Sequence, residues 1–451
     1  MEMSEPSEIY VLGAGPAGMA AAYTLTKQNQ PVVVIERDSQ VGGLAKSIEY
    51  QGFILDYGPH FFSTDIAPVV QFWDEVMGPE AVTFKVSTRM YWQKRYFSYP
   101  PSVSEVLLGV GFWESLKIMV SYVQAQLSPN SNPQNYAERV TGKFGKELFE
   151  ICFKAYLEKL WGIPCTGISA DWEAGKFRNI SFREILKNAM IREEWRLKFP
   201  RLGSRQLYER IAEFMKERDR PILFNHEVKQ IHHENFKVTK LTLKNSKTGE
   251  EKVIECQGVI SSIPLSILLQ QLDPPVPSRL VEQVKSLKFR NTAIAYLIVE
   301  SGSLFPDQCI YINDSNIRLG RVTNFANWSK DMLPNTHQTP LCCEYWCDFG
   351  DSTWQQPEAE LLVQAEQDLR TIGLLGDAKV AGGFVVKLAR THPIYAVNYQ
   401  AALSEVNDYL NQFENLDIVG RYGAFKYHDQ DGSLYMGILA AQNAVSKAGL
   451  S

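Results

Sequence analysis

The chain has 451 residues, 45% of them apolar and 22% charged, and carries a net charge of −5. Such proportions suit a globular protein of two or three subdomains, and the mild acidity without a basic block gives no reason to expect nucleic acid as a partner. Residues 1–8 lack the basic and apolar regions of a signal peptide, and residues 106–113 are too few to span a bilayer, so a buried helix is expected there and contact with a membrane surface stays open.

Ile9-Tyr10-Val11-Leu12 is a short apolar run of the kind that makes a buried parallel strand. Gly13-Ala14-Gly15-Pro16-Ala17-Gly18 follows at once, and residues 19–28, rich in Ala, Leu and Thr, predict a helix. Pro31 breaks it, Val32-Val33-Val34-Ile35 predicts a second strand, and Glu36 stands at its end. In a βαβ unit of this order Gly13 allows the tight turn, Gly15 lets the backbone approach a pyrophosphate, and Gly18 lets the helix pack closely. The helix start at Pro16 and Ala17 turns backbone N–H groups toward the phosphates, while Glu36 accepts hydrogen bonds from a ribose.

Arg37-Asp38 and then Gly42-Gly43-Leu44-Ala45 give a glycine loop. Residues 47–50 and 53–56 read as a hairpin that ends in Asp56-Tyr57-Gly58-Pro59-His60-Phe61-Phe62. Residues 65–77 have helical spacing, 91–99 are aromatic and basic, and 102–127 and 136–160 predict two long helices around a loop at 128–133. The region 66–198 is therefore expected to be mainly helical, with aromatics lining a substrate cavity. A helix at 204–215 and strands at 222–228, 238–243, 252–256 and 258–263 follow. From 275 to 387 the pattern turns strand-rich, at 292–299, 309–313, 321–325 and 341–347, with an amphipathic helix at 358–372. Residues 416–448 read as strand, glycine-rich loop and helix.

Seven cysteines occur without a CxxC pair, and they read as reduced core thiols of a cytoplasmic protein. Cys342, Cys343 and Cys347 fall on a predicted strand, so a strand is expected there and not a metal site.

The segments Glu36-Arg37-Asp38 to Gly42-Gly43, and Asp56-Tyr57-Gly58-Pro59-His60, resemble the start of a flavoenzyme group that includes amine oxidases, protoporphyrinogen oxidases and UDP-galactopyranose mutases. The resemblance implies an α/β fold with a glutathione-reductase-like Rossmann domain for FAD, built from 1–65, 199–270 and 391–451. It implies a helical substrate domain at 66–198 and a mixed-sheet substrate domain at 271–390. It also implies non-covalent FAD, held by Gly13, Gly15, Pro16, Ala17, Gly18, Glu36, Arg37, Gly43, Leu44, Gly58, His60, Val228, Gly420, Arg421 and Asp429.

Three further segments resemble the mutases. Tyr156-Leu157-Glu158-Lys159-Leu160-Trp161-Gly162 implies that Tyr156 and Trp161 border a uridine, since aromatic faces stack on a base. By residue type alone a helix face packed in the core suits them better. Arg321, on a predicted strand, implies a bidentate clamp for a diphosphate, although by residue type alone a surface ion pair suits it as well, and Tyr395 stands where the mutases have a tyrosine serving it. Gly420-Arg421-Tyr422-Gly423-Ala424-Phe425-Lys426-Tyr427-His428-Asp429 implies Arg421 beside flavin and substrate, with Tyr427 and Asp429 near. A helix from about residue 434 would aim its positive end at the flavin. The chain departs from the mutases at Phe62-Ser63, where a second histidine is missing, at Lys176 and at Phe425.

The implied activity is that of reduced FAD acting on a nucleotide sugar, a pyranose–furanose isomerisation with His60, Arg321, Arg421 and Tyr427 as catalytic residues and NADPH as a candidate reductant. The alternative is an FAD-dependent oxidoreductase, like the amine and protoporphyrinogen oxidases, that takes hydride from a small organic substrate. Nothing in the sequence selects an oligomeric state.

Overall fold

The computed structural model describes residues 8–172 and 196–447; the departure at Lys176 lies outside the described residues. Five parallel strands form the first sheet, in the order Leu416–Ile418, Gly258–Ser261, Ile9–Leu12, Val32–Glu36 and Ile222–Phe224. Its three central strands are buried along their whole length, which is why they read as unbroken apolar runs. The first helix, Pro16–Lys27, starts before the expected residue 19 because the fixed φ of Pro16 suits a first helical position.

A second sheet of seven strands follows the order Val380–Pro393, Phe289–Val299, Thr339–Cys347, Arg321–Asn324, Cys309–Ile312, Thr88–Trp92 and Arg95–Ser98. Its last two strands are a hairpin from the aromatic, basic stretch, within the region expected to be mainly helical. A third sheet of four strands, Glu251–Glu255, Lys237–Asn245, His226–Glu234 and Leu272–Asp273, completes the larger β structure. The mixed α/β architecture is the fold class expected.

The two long helices are both broken at glycine. Gly111, at φ 90°, separates Val103–Val110 from Phe112–Leu127, and Gly145, at φ 84°, separates Tyr136–Phe144 from Lys146–Phe149. Both are left-handed positions that favour glycine and turn the chain. A π-helical turn, Glu150–Lys154, then leads into Ala155–Trp161.

Two polar clusters tie these layers together. Asp56 is buried and accepts hydrogen bonds from Ser47 Oγ at 2.5 Å, Ser204 Oγ at 2.6 Å and Ser204 N at 3.1 Å. It joins the hairpin Ser47–Tyr50/Phe53–Asp56 to the head of helix Arg205–Lys216. Lys159 Nζ donates to the carbonyls of Ile312, Asp314, Ile317 and Leu319 at 2.6, 3.1, 3.0 and 3.0 Å. It thereby fixes the loop that delivers Arg321. Asn313 Oδ1, on the same loop, accepts the Tyr156 N–H at 2.7 Å.

The strand Thr339–Cys347 is buried throughout, and its cysteines alternate between core clusters on its two faces: Cys342 on one, Cys343 and Cys347 on the other. Among the described residues there is no disulfide, and no group of three or more His, Cys, Asp or Glu side chains is placed to hold a metal. No helix among them is long and apolar enough to cross a membrane.

Candidate active site

One cavity of about 2100 Å³ runs from the first βα turn to the second sheet. Ordinary ligand pockets hold roughly 300–1,000 Å³, so this one has room for a dinucleotide and a sizeable second molecule. At its first end Gly15 caps helix Pro16–Lys27, and a Cβ added there would meet nothing within 4 Å, because the position faces open cavity. Together with the unbonded N–H groups of the helix start, that is a cradle for a pyrophosphate. Gly18 does not line the cavity; its Cβ would fall 1.9 Å from the Gly13 carbonyl oxygen, so its job is close packing of helix on turn. Glu36 lines the cavity and accepts the N–H groups of Ala14 at 2.6 Å and Asp38 at 2.8 Å, which sets its carboxylate at the end of the second strand. Arg37, Gly43, Leu44 and Val228 line the same end.

The other end carries charge and aromatic rings. His60 Nδ1 donates to the Gly58 carbonyl at 3.0 Å, which leaves Nε2 as an acceptor. Burial and then the nearby cations Arg421 and Arg321 push its pKa down to about 4, so it is neutral. His392 is held well below its ordinary value by burial and the same two arginines. Arg321 forms a bidentate pair with the buried Glu344, at 2.6 and 2.8 Å. Its guanidinium lies 6.0 Å from the Tyr311 ring and 5.9 Å from that of Trp346. Arg421 donates twice to the His428 carbonyl, at 2.9 and 2.6 Å, and lies over the Tyr427 ring at 5.3 Å. Burial, then the nearby Asp429 carboxylate, pushes the Tyr427 hydroxyl up to about 12, so it keeps its proton. Tyr99 stacks on Tyr311 with centroids 4.0 Å apart, and Tyr156 stands edge-on to Tyr311 and Trp346.

Gly13, Gly15, Pro16, Ala17, Glu36, Arg37, Gly43, Leu44, His60, Tyr156, Val228, Arg321, Gly420, Arg421, Tyr427 and Asp429 all line this one cavity. Gly58 stands behind it and presents its carbonyl to His60. Trp161 and Tyr395 do not line the wall. Trp161 is fully buried, edge-on to Trp172, Tyr395 and Tyr427, and Tyr395 is 2% exposed. Both pack against the Tyr427 ring. The closing helix, Gln430–Lys447, starts earlier than residue 434, so Gln430, Asp431 and Ser433 also reach the cavity.

Sequence reasoning missed His392, Tyr99, Tyr311 and Glu344. Glu344 left a signal, as the one acid in the apolar run Leu341-Cys342-Cys343-Glu344-Tyr345-Trp346, where burial demands a cationic partner. His392 stands beside Pro393 in the segment where Tyr395 drew attention.

The family model described as flavin containing amine oxidoreductase matches residues 16–409. A probable UDP-galactopyranose mutase of Klebsiella pneumoniae is 25% identical over 169 residues, covering 36% of this chain and 43% of that protein. A 1-hydroxycarotenoid 3,4-desaturase of Flavobacterium sp. is 23% identical over 274 residues, covering 54% and 55%. The chain thus spans about half the length of these curated relatives. The crystal structure of a reduced UDP-galactopyranose mutase superposes with a TM-score of 0.84 over 99% of this chain and 95% of that one. At 19% identity, that likeness is one of fold.

Proposed function

The chain belongs to the flavin containing amine oxidoreductases, and we propose that it holds FAD non-covalently across the Gly15 cradle and acts on a substrate bearing an anionic group, with a nucleotide sugar in a redox-neutral, mutase-type isomerisation as the leading reading. Arg321 and Arg421 line the same cavity and both bear on the neutral His60 and His392, and that carries this reading. Bound FAD would supply the electron-pair or hydride chemistry that no side chain here offers. Gly15 and the helix start would hold the pyrophosphate, Glu36 the ribose, and Arg37 and Val228 would border the adenosine end.

The chain's own groups then have simple jobs. Arg421 would neutralise the anion that leaves and returns, with Arg321 beside it. The Tyr427 hydroxyl would donate a hydrogen bond, and His60 Nε2 would accept one. Neither histidine adds positive charge, and with Arg321 paired to Glu344 the Arg421 guanidinium is the main cation offered to an anion there. Reduction by NADPH and a cytoplasmic location belong to the same proposal; the seven unpaired cysteines fit a reducing compartment.

The test is anaerobic incubation of the dithionite-reduced protein with a panel of UDP- and dTDP-hexoses, with products resolved by chromatography. A pyranose–furanose interconversion that requires reduced flavin supports the reading. No interconversion with intact, reduced flavin would refute it. A second reading, hydride removal from a less polar substrate, is favoured by the burial of Trp161 away from the cavity lining. Substrate-dependent flavin bleaching without added reductant would support it.

A further inference from the structure

The wall that residues 86–160 contribute to the cavity differs from the arginine end. Val106, Leu108, Phe144, Leu148, Phe153 and Leu157 supply its apolar surface, and Phe153 stacks on Phe144 at 6.0 Å. Among the described residues of this wall Glu105 alone carries charge, and its carboxylate is taken by the backbone N–H and hydroxyl of Ser98. Thr88 Oγ1 donates to the Tyr99 carbonyl at 2.8 Å and Ser102 Oγ accepts the Glu105 N–H at 3.2 Å, while the phenols of Tyr99, Tyr136 and Tyr156 also belong to this wall. A nucleoside placed here would meet few groups to replace its water, and each polar atom left unmet would weaken its binding. A hydrocarbon chain would lose nothing and would bury apolar area against every one of these side chains.

The same wall runs out to the surface at an unusual place. Leu108 lines the cavity and yet is 87% exposed, and the neighbouring Phe112 and Trp113 are 73% and 72% exposed. Leu116, Met119, Val120, Val123 and Leu127 continue the exposed apolar face along helix Phe112–Leu127. An apolar mouth of this kind admits a chain that an aqueous, polar rim would exclude.

We infer that this limb of the cavity binds a hydrocarbon chain, acyl or isoprenoid, whose polar or reacting head lies toward Arg321 and Arg421. The inference rests on the reading that this cavity is the substrate site of a flavoenzyme, and it narrows the substrate to an amphiphile. Under hydride removal the substrate is itself a chain with a polar end; under mutase-type chemistry the chain would stand where the nucleotide-sugar reading places the nucleoside, so the two readings make opposite predictions for uridine.

The test is equilibrium binding of the fluorescent polyene cis-parinaric acid to the flavin-loaded protein, so that its outcome is independent of turnover. We expect saturable binding that decanoic acid displaces and uridine does not. Leu108→Glu, at an exposed position that does not challenge folding, and Phe153→Gln should each weaken it about tenfold by placing polarity on the chain's path. Val253→Glu, on an exposed site of the strand Glu251–Glu255, should leave it unchanged. Retained flavin absorbance certifies each variant as folded. Absence of saturable binding would overturn the proposal. So would binding unaffected by both Leu108→Glu and Phe153→Gln, or displacement by uridine. If the hexose panel fails while the probe binds as expected, the isomerase reading falls and the limb stands; the converse result separates them the other way.

Discussion

Arg321 and Glu344 face each other across neighbouring antiparallel strands and pair through two parallel hydrogen bonds of 2.6 and 2.8 Å, with Glu344 buried beneath the cavity wall. The pair turns the guanidinium into a fixed part of the wall. Removing one partner of such a buried pair leaves an uncompensated charge and typically costs about 3–5 kcal/mol. Glu344→Ala is therefore expected to destabilise the flavin-loaded protein by about that amount, read from urea unfolding. Arg321→Lys should also lose stability, since an ammonium cannot meet both carboxylate oxygens at once.

Lys159 acts on the same arginine from behind. Its ammonium bridges four carbonyls of the loop between Cys309–Ile312 and Arg321–Asn324. Lys159→Met leaves those carbonyls unsatisfied, and a loss of about 2–3 kcal/mol is expected. Because the loop also holds Tyr156 through Asn313, anion affinity should fall together with stability. A titration of the variant with inorganic diphosphate, beside its unfolding curve, checks both.

Asp56 gives a pH signature. Burial raises its pKa from 3.8 to about 6, against the pull of the Ser204 and Ser47 hydrogen bonds. Between those values the folded protein keeps a proton that the unfolded chain has released. The contribution is therefore present below pH 3.8 and is lost as pH rises through about 6. Measured from pH 4 to 7, unfolding free energy of the wild type should fall relative to Asp56→Asn, by about 2 kcal/mol across the window. A flat difference between the two proteins would contradict the assignment.

His60 gives the opposite expectation. With its pKa pushed down to about 4 by burial and two arginines, it stays neutral across the working range. The pH profile of kcat/KM should show no His60 limb between about pH 5 and 8. His60→Gln, which keeps a hydrogen-bonding group but removes the ring, should then change the rate without changing the shape of the profile.

The dinucleotide end was legible in the sequence because each residue there answers to one constraint. Gly13, Gly15 and Gly18 are backbone requirements, and the buried strands Ile9–Leu12 and Val32–Glu36 admit only apolar runs. The substrate end was legible in part. A tryptophan that stacks on a base and one that fills a core are the same letter, so Trp161 and Tyr395 could not be told apart from Tyr156 before packing was known. Helix continuity failed at Gly111 and Gly145, where left-handed backbone mattered more than the apolar period on either side. The strand Val380–Pro393 escaped notice because its exposed and half-buried residues, with Gly382 and Gly383 near its start, give no clean alternation.

The central claim is that the Gly15 cradle and the two arginines belong to one site, with FAD at one end and an anion at the other. Titrating the flavin-loaded protein with inorganic diphosphate while recording the flavin absorbance spectrum tests it most directly. The account predicts a saturable spectral change in the wild type and an affinity weakened about tenfold or more in Arg421→Gln, from the loss of a charge-assisted hydrogen bond. A flavin spectrum indifferent to diphosphate, or one that responds in Arg421→Gln and Arg321→Gln just as in the wild type, would contradict it.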